Sequence, residues 1–303
     1  MKIFKGFVSF AIAATIVSTL SAETHCPGNV ASVPLRLVNR HQMIVAVSIN
    51  HSGPYNFLLD TGTQITTVDP SLAAEVHLDT DGEAVVAGAG SRQSASLAQV
   101  DLLEAGSHAV TNQRVLVYGL QSLHTFDLHI EGILGEDFLE RFDMFIDNSH
   151  HMLCLDDTGA MRAQVKGMHV ALLPPPEAAD RGTLSRLLII EVRLSDGMRP
   201  VRLMLDSGAN VPLLYNAPQY MALQLSRTAS LRGSGVDGSQ RIFSALPPQE
   251  VKIGSREMSG VSFFSLAGAQ NDSRAKGFDG VLTMGLFRRI FIDHADHFAV
   301  LKP

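Results

Sequence analysis

Two stretches of the chain repeat one hydrophobic pattern. Residues 44–62 (IVAVSINHSGPYNFLLDTG) and 190–208 (IEVRLSDGMRPVRLMLDSG) each hold a β-rich apolar run, a polar turn and a second apolar run. The turn residues His51-Ser52-Gly53-Pro54 and Ser195-Asp196-Gly197 predict hairpins. Each second run leads straight into Asp-Thr-Gly or Asp-Ser-Gly, so a buried strand is predicted to deliver an aspartate into a turn. The parallel continues downstream. Asp60 is followed after 72 residues by Gly132-Ile133-Leu134-Gly135, and Asp206 after 74 residues by Gly280-Val281-Leu282-Thr283. A short helix-like segment follows in each half (Asp137–Phe142; Leu286–Ile290), then Phe-Ile-Asp, whose Asp147 and Asp293 lie 87 residues beyond Asp60 and Asp206. Features that keep their order and spacing over two halves mark an internal duplication.

The remaining pattern is short and β-branched. Runs such as Gln113–Tyr118, Met198–Leu205 and Glu250–Ile253 are bounded by Gly, Asn or Pro and read as strands. Helices are predicted only at Pro70–Val76, at its counterpart Ala217–Leu223 and at the two segments named above. Many strands and few helices point to barrels or sandwiches. Between the repeats, Gly159–Gly182 carries Pro174-Pro175-Pro176, which favours extended geometry and reads as a connection.

Composition narrows the chemistry. The chain of 303 residues has 24 Lys+Arg against 30 Asp+Glu, for a net charge of −6, and so lacks the basic footprint of a nucleic-acid binder. Two cysteines cannot build a disulfide-dense scaffold or a four-thiolate zinc site. Residues 1–22 have Lys2 and Lys5 ahead of the apolar run Phe7–Leu20, with Ala22 at a cleavage-like position. They read as an export signal, shorter than a membrane-spanning helix wants. The expected location is periplasmic or secreted, with membrane tethering if the leader stays uncleaved. Export permits a disulfide, and the sequence is compatible both with a Cys26–Cys154 bond and with two buried thiols.

A lone Asp-Thr-Gly is an ordinary turn tripeptide. Two of them, each ending an apolar strand in a duplicated chain, suit a symmetric carboxyl pair. Two close carboxyls cannot both ionise, so they share one proton, and one can act as base while the other acts as acid. The sequence resembles the retropepsin and pepsin-like aspartic peptidases, in particular bacterial retropepsin-like proteins with two lobes in one chain. The carriers are Phe-Leu-Leu-Asp60-Thr61-Gly62-Thr63, Leu-Met-Leu-Asp206-Ser207-Gly208-Ala209, Ile133-Leu134-Gly135 and Val281-Leu282.

The resemblance implies an all-β, bilobal fold of two homologous β-barrel lobes with short helices. Its parts would be a signal peptide at 1–22, an N-terminal lobe at 35–157, a linker at 158–183 and a C-terminal lobe at 184–303. It implies that Asp60 and Asp206 form the catalytic dyad. Thr61 and Ser207 would hydrogen-bond across the axis to the opposite lobe, and Gly62 and Gly208 would permit close backbone approach. Glycine-rich hairpins would act as flaps over the substrate, at Gly88 and Gly90 (Gly88 is 28 residues past Asp60) and at Gly233 and Gly235 (Gly233 is 27 past Asp206). The implied activity is endopeptidase cleavage of an extended polypeptide without cofactor or metal. A monomer is expected rather than a dimer, because both lobes lie in one chain. The alternative is a peptide- or cell-wall-binding protein on the same scaffold without hydrolysis.

Two departures stand out. Thr283 occupies the place of the family's glycine, and Ala209 faces Thr63 in the repeat. A Thr63 hydroxyl could donate to Asp60 and favour its charge, which Ala209 cannot do for Asp206. Asp147 and Asp293 read as hairpin caps. His150, His151, His294 and His297 read as surface histidines, since they sit in presumptive turns without the ligand set of a zinc site. Gly233, Gly235 and Gly238 form Gly-x-Gly-x-x-Gly outside any βαβ context, and no Gly-x-Ser-x-Gly elbow is present.

Overall fold

The computed structural model describes residues 25–38, 42–87, 92–125, 127, 129–174, 187–195, 199–215, 230–234, 240–266 and 277–303. These form three sheets with a few short helices, the all-β class that the sequence leads one to expect.

In the first half, strand Gln42–Ile49 turns tightly into Ser52–Leu59, with Ile44 opposite Leu58. The two-residue turn falls on Asn50 and His51, both at positive φ, one residue earlier than the sequence suggests. Two left-handed residues match the twist of a tight hairpin, and the Asn50 side chain accepts from the Asp101 and Leu102 N–H groups at 3.0 Å. Ser52–Leu59 pairs in parallel with Gly132–Leu134, which lies antiparallel to Thr67–Val68. The sheet continues through His108–Val117, Arg92–Ala105 and Thr80–Ala87. It closes on itself where Val47 pairs with Ala105.

The second half repeats the motif. Ile189–Leu194 pairs antiparallel with Val201–Asp206, which runs parallel to Gly280–Thr283 and places Asp206 opposite Thr283. Leu213–Leu214, Phe264–Leu266, Gln240–Ala245 and Ser230–Ser234 extend one edge, while Gln249–Ile253 and Arg256–Val261 extend the other. In both halves the strand leading to the aspartate is buried on both faces at its end, as a parallel central strand must be.

A third sheet belongs to both halves. Its strands run Ser32–Val33, Met152–Asp156, Asp143–Asp147, Arg289–Asp293, Phe298–Lys302 and Val170–Ala171. At its centre Phe145 pairs with Phe291, and the register puts equivalent strands of the two repeats antiparallel, as a local twofold axis requires. One apolar core, with Phe57, Leu59 and Leu134 from the first half and Leu203, Leu205 and Leu282 from the second, is continuous across the join.

Polar residues lock the same join. Asp147 caps its turn through the Ser149 and His150 N–H groups and is met by Arg289 Nε of the other half at 2.6 Å. Burial opposes its charge, but Ser149, His150 and Arg289 together lower its pKa to about 2. Asp293 receives Arg162 Nε at 2.6 Å, and Arg162 also reaches Asp143 and Asp296. Each cap thus also carries an arginine contact between distant parts of the chain.

Cys26 and Cys154 are disulfide-bonded, with Cα atoms 5.8 Å apart. The bond ties Pro27–Asn29 to the shared sheet and spans 128 residues, worth roughly 2–5 kcal/mol. The stretch between the repeats is more than an extended connection: it carries helix Ala160–Gln164, and Val170–Ala171 pairs with Phe298–Lys302. Helix Pro70–Glu75 forms as its proline-led start suggests, with Asp69 as N-cap. The segment read as helix at Leu286–Ile290 instead holds a single turn, Met284–Leu286. Beyond it, Arg289–Asp293 is drawn into the shared sheet by pairing with Asp143–Asp147. The expected helix at 217–223 lies outside the described residues.

Candidate active site

The two aspartates leave the ends of their strands and meet. Thr61 Oγ1 donates to Leu205 O at 3.0 Å, and Ser207 Oγ donates to Leu59 O at 2.9 Å. Each hydroxyl also accepts the other loop's backbone N–H, Ser207 N to Thr61 Oγ1 and Thr61 N to Ser207 Oγ, both at 3.1 Å. Four reciprocal bonds, with Thr61 fully buried and Ser207 nearly so, fix one loop against the other. Buried hydroxyls must find partners, and here each partner is the opposite repeat.

Glycine makes the approach possible. A Cβ on Gly62 would lie 2.6 Å from Asp206 Oδ2, and one on Gly208 would lie 2.6 Å from Asp60 Cγ. Each glycine therefore forms the floor beneath the other half's carboxyl. The two carboxyls lie close enough for each to influence the other's ionisation. Asp60 also accepts from Gly62 N and Thr63 Oγ1, each at 2.8 Å. Asp206 accepts from Gly208 N at 2.7 Å and Ala209 N at 2.9 Å.

These surroundings part the two groups. Burial raises the Asp60 pKa, and the hydrogen bonds from Thr63 and Gly62 hold the rise back. Burial raises the Asp206 pKa well above its ordinary value, and the neighbouring Asp60 charge adds to it. The Thr63 hydroxyl, which has no counterpart at Ala209, favours charge on Asp60 over Asp206.

Residues 45–138 match the family model for aspartyl proteases. The aspartyl protease match takes in Asp60, Thr61, Gly62 and Gly132–Gly135, and it ends before the second repeat with Asp206. It supports an aspartyl protease family and, with it, a hydrolase. A search of curated proteins finds no match.

The position of the family's second glycine shows how the halves differ. In the first half Gly135 has no room for a side chain, since a Cβ would lie 2.9 Å from Thr63 O. Glu136 N donates to that carbonyl at 2.9 Å, and Asp137 clamps the loop by accepting from Thr66 N and Oγ1. In the second half Thr283 caps the turn Met284–Leu286 and its hydroxyl donates to Ala209 O at 2.6 Å. The threonine side chain thus supports the same point of the aspartate loop that a backbone N–H supports in the first half.

Of the remaining expected site residues, Gly88, Gly90 and Gly235 lie outside the described residues. Gly233 lies on strand Ser230–Ser234 opposite Arg241, and a Cβ there would press on the Phe243 ring at 3.0 Å. Among the described residues no cluster of three or more His, Cys, Asp or Glu could hold a metal ion.

The histidine reading needs one correction. His294 is not on the surface: its side chain is 7% exposed, and its Nε2 lies 3.3 Å from the fully buried Glu136. Its turn position suggests exposure, but the turn folds against the helix Glu136–Leu139 of the other half. The contact joins residues far apart in sequence, so no local pattern announces it.

Proposed function

We propose that this protein is an exported aspartic endopeptidase with two pepsin-like lobes in one chain, whose dyad is Asp60 and Asp206. The observation that carries the reading is the reciprocal seating of the two carboxyls, each lying against the glycine of the other repeat. In this reading Asp60, ionised, takes a proton from a water between the carboxyls as the water attacks the scissile carbonyl carbon. Asp206 gives its proton to the carbonyl oxygen and neutralises the charge developing there. The proton gained by Asp60 then passes to the leaving nitrogen, and Asp206 takes a proton back from a hydroxyl of the gem-diol as the C–N bond breaks and the carboxyl product forms. The sequence of steps returns the single shared proton to the pair and needs no covalent enzyme intermediate.

The substrate is an extended polypeptide that adds to cleft and hairpin strands through its backbone. Two described hairpins suit this role, Thr80–Ala87 with Arg92–Ala105 and Ser230–Ser234 with Gln240–Ala245. They carry the large exposed apolar side chains found among the described residues, Val85, Leu231 and Ile242. Export is supported by the leader-like residues 1–22, which lie outside the described residues, and by the Cys26–Cys154 bond, which suits an oxidising compartment. With both halves of the pair in one chain, the working form is a monomer.

The test is cleavage of a peptide library by the wild type, Asp60→Asn and Asp206→Asn. Each variant is expected to keep its fold by circular dichroism and to lose about 10³-fold or more in kcat/KM. Turnover near the wild-type rate in either variant would exclude the dyad.

A further inference from the structure

The contact between Glu136 and His294 is more than packing. Glu136 is fully buried on the helix that follows Gly135, and its backbone N–H holds Thr63 O at 2.9 Å. Thr63 in turn donates its hydroxyl to Asp60 at 2.8 Å. On the other side, His294 follows strand Arg289–Asp293 of the second repeat, and its Nδ1 lies 2.6 Å from Phe142 O. A carbonyl oxygen only accepts, so Nδ1 carries the hydrogen and donates it. That leaves Nε2 facing the Glu136 carboxyl at 3.3 Å. If neither Nε2 nor the carboxyl held a proton, two buried acceptors would face each other with nothing between them. The contact is sound only while one more proton is present, on His294 as an ion pair or on Glu136 as a neutral acid.

We propose that Glu136 and His294 form a proton-dependent strut between the two repeats, and that Glu136 is a positioning residue for the Asp60 loop. Resting on the hydrolase reading above, the inference adds a second titrating element to the dyad. Gain of the shared proton holds the helix start against the second repeat, and with it Thr63 and the orientation of its hydroxyl toward Asp60. Loss of that proton loosens the strut and the loop together.

The surroundings agree with this behaviour. Burial lowers the His294 pKa, but Glu136, the Phe142 carbonyl and Asp143 outweigh it and leave the value raised. Burial also raises Glu136, with Glu140 and Asp137 adding to the rise and His294 opposing it. Asp143 is itself shared with Arg162, which also holds Asp293 next to His294 in the chain. The edge of His294 borders a cavity of about 690 Å³ whose wall includes Glu140, Arg141, Leu172 and His297, a route for proton exchange with solvent. Because the His294 value is raised, the strut is intact below it and is lost as pH rises through it.

The experiment follows the wild-type protein first. The His294 ring is titrated by NMR while the Gly62 and Thr63 amides are followed in the same samples. Both amides are expected to shift with the His294 midpoint. Amides that do not respond at that midpoint would overturn the proposal. In Glu136→Gln the amide can donate to a neutral His294 Nε2, so kcat near the optimum should stay within about threefold while the His294-linked inflection disappears from the pH profile. Glu136→Ala should lower kcat about tenfold with KM little changed, since the loop is misplaced and the substrate contacts are not. An inflection that persists unchanged in Glu136→Gln would contradict the strut. If the wild type cleaves no peptide while the amides still follow His294, the hydrolase reading fails and the strut stands. If it cleaves peptides while the amides stay silent, the strut fails and the hydrolase reading stands.

Discussion

The Asp60 loop and the Asp206 loop follow the same path, but different groups hold them in place. Each begins at the end of a buried strand and uses a glycine to support the opposite carboxyl. Behind the first loop stand Thr63, Thr66, Gly135, Glu136 and Asp137, a set of donors and acceptors that closes on itself. Behind the second, Pro212 stands in place of Thr66 and Ala209 in place of Thr63, and Thr283 supplies a side-chain bond to Ala209 O. A duplicated fold has kept its backbone geometry while letting the two carboxyls acquire different environments. Two close carboxyls share one proton even in equivalent settings, and the difference between the loops bears on which of them holds it.

The largest effects are expected where the two loops are still alike. Gly62→Ala would press a methyl group into the Asp206 carboxyl, so it should lower kcat/KM about 10²-fold and stability by about 1–3 kcal/mol. Gly208→Ala should do the same through Asp60. An alanine variant of either glycine with unchanged kinetics and Tm would mean that the carboxyls do not sit as described.

Thr63 sharpens the difference between the loops. Its hydroxyl lowers the Asp60 pKa, so Thr63→Val should raise that pKa. Asp60 would then stay protonated to higher pH, and the acidic limb of kcat/KM should move upward while Thr63→Ser leaves it in place. A limb that moves downward, or not at all, removes the basis for assigning the charge to Asp60. Thr283→Val gives the smallest change, a loss of about 1 kcal/mol in thermal or urea unfolding from one missing hydrogen bond to Ala209 O. A Thr283→Val protein as stable as the wild type would show that the second loop needs no support there.

Much of the molecule is legible in its pattern, and the parts that are not share a cause. The strands leading to Asp60 and Asp206 are apolar runs with a fixed destination, so their burial and their partner glycines leave a mark in the local sequence. Reading Leu286–Ile290 as a helix fails because pairing with Asp143–Asp147 decides the outcome there, and tertiary pairing overrides a short apolar run. Strand His108–Val117 is longer than its visible part, Gln113–Tyr118, because its early residues alternate half-buried and exposed positions on a polar edge. Thr283 looks like a defect when judged by the missing glycine, and the hydroxyl bond to Ala209 O emerges only when the loops are placed together. Glu136 and His294 carry no motif at all: an acid at a helix start and a histidine in a turn are ordinary until the fold brings them to 3.3 Å.

The central claim is that Asp60 and Asp206 share one proton unequally. Carbon-13 labelling of the aspartate carboxyls, with Asp60→Asn and Asp206→Asn used to assign the two signals, measures it directly. Asp206 is expected to stay protonated well above its ordinary pKa while Asp60 ionises at lower pH. Two carboxyls that titrate independently near their ordinary value of 3.8 would contradict it.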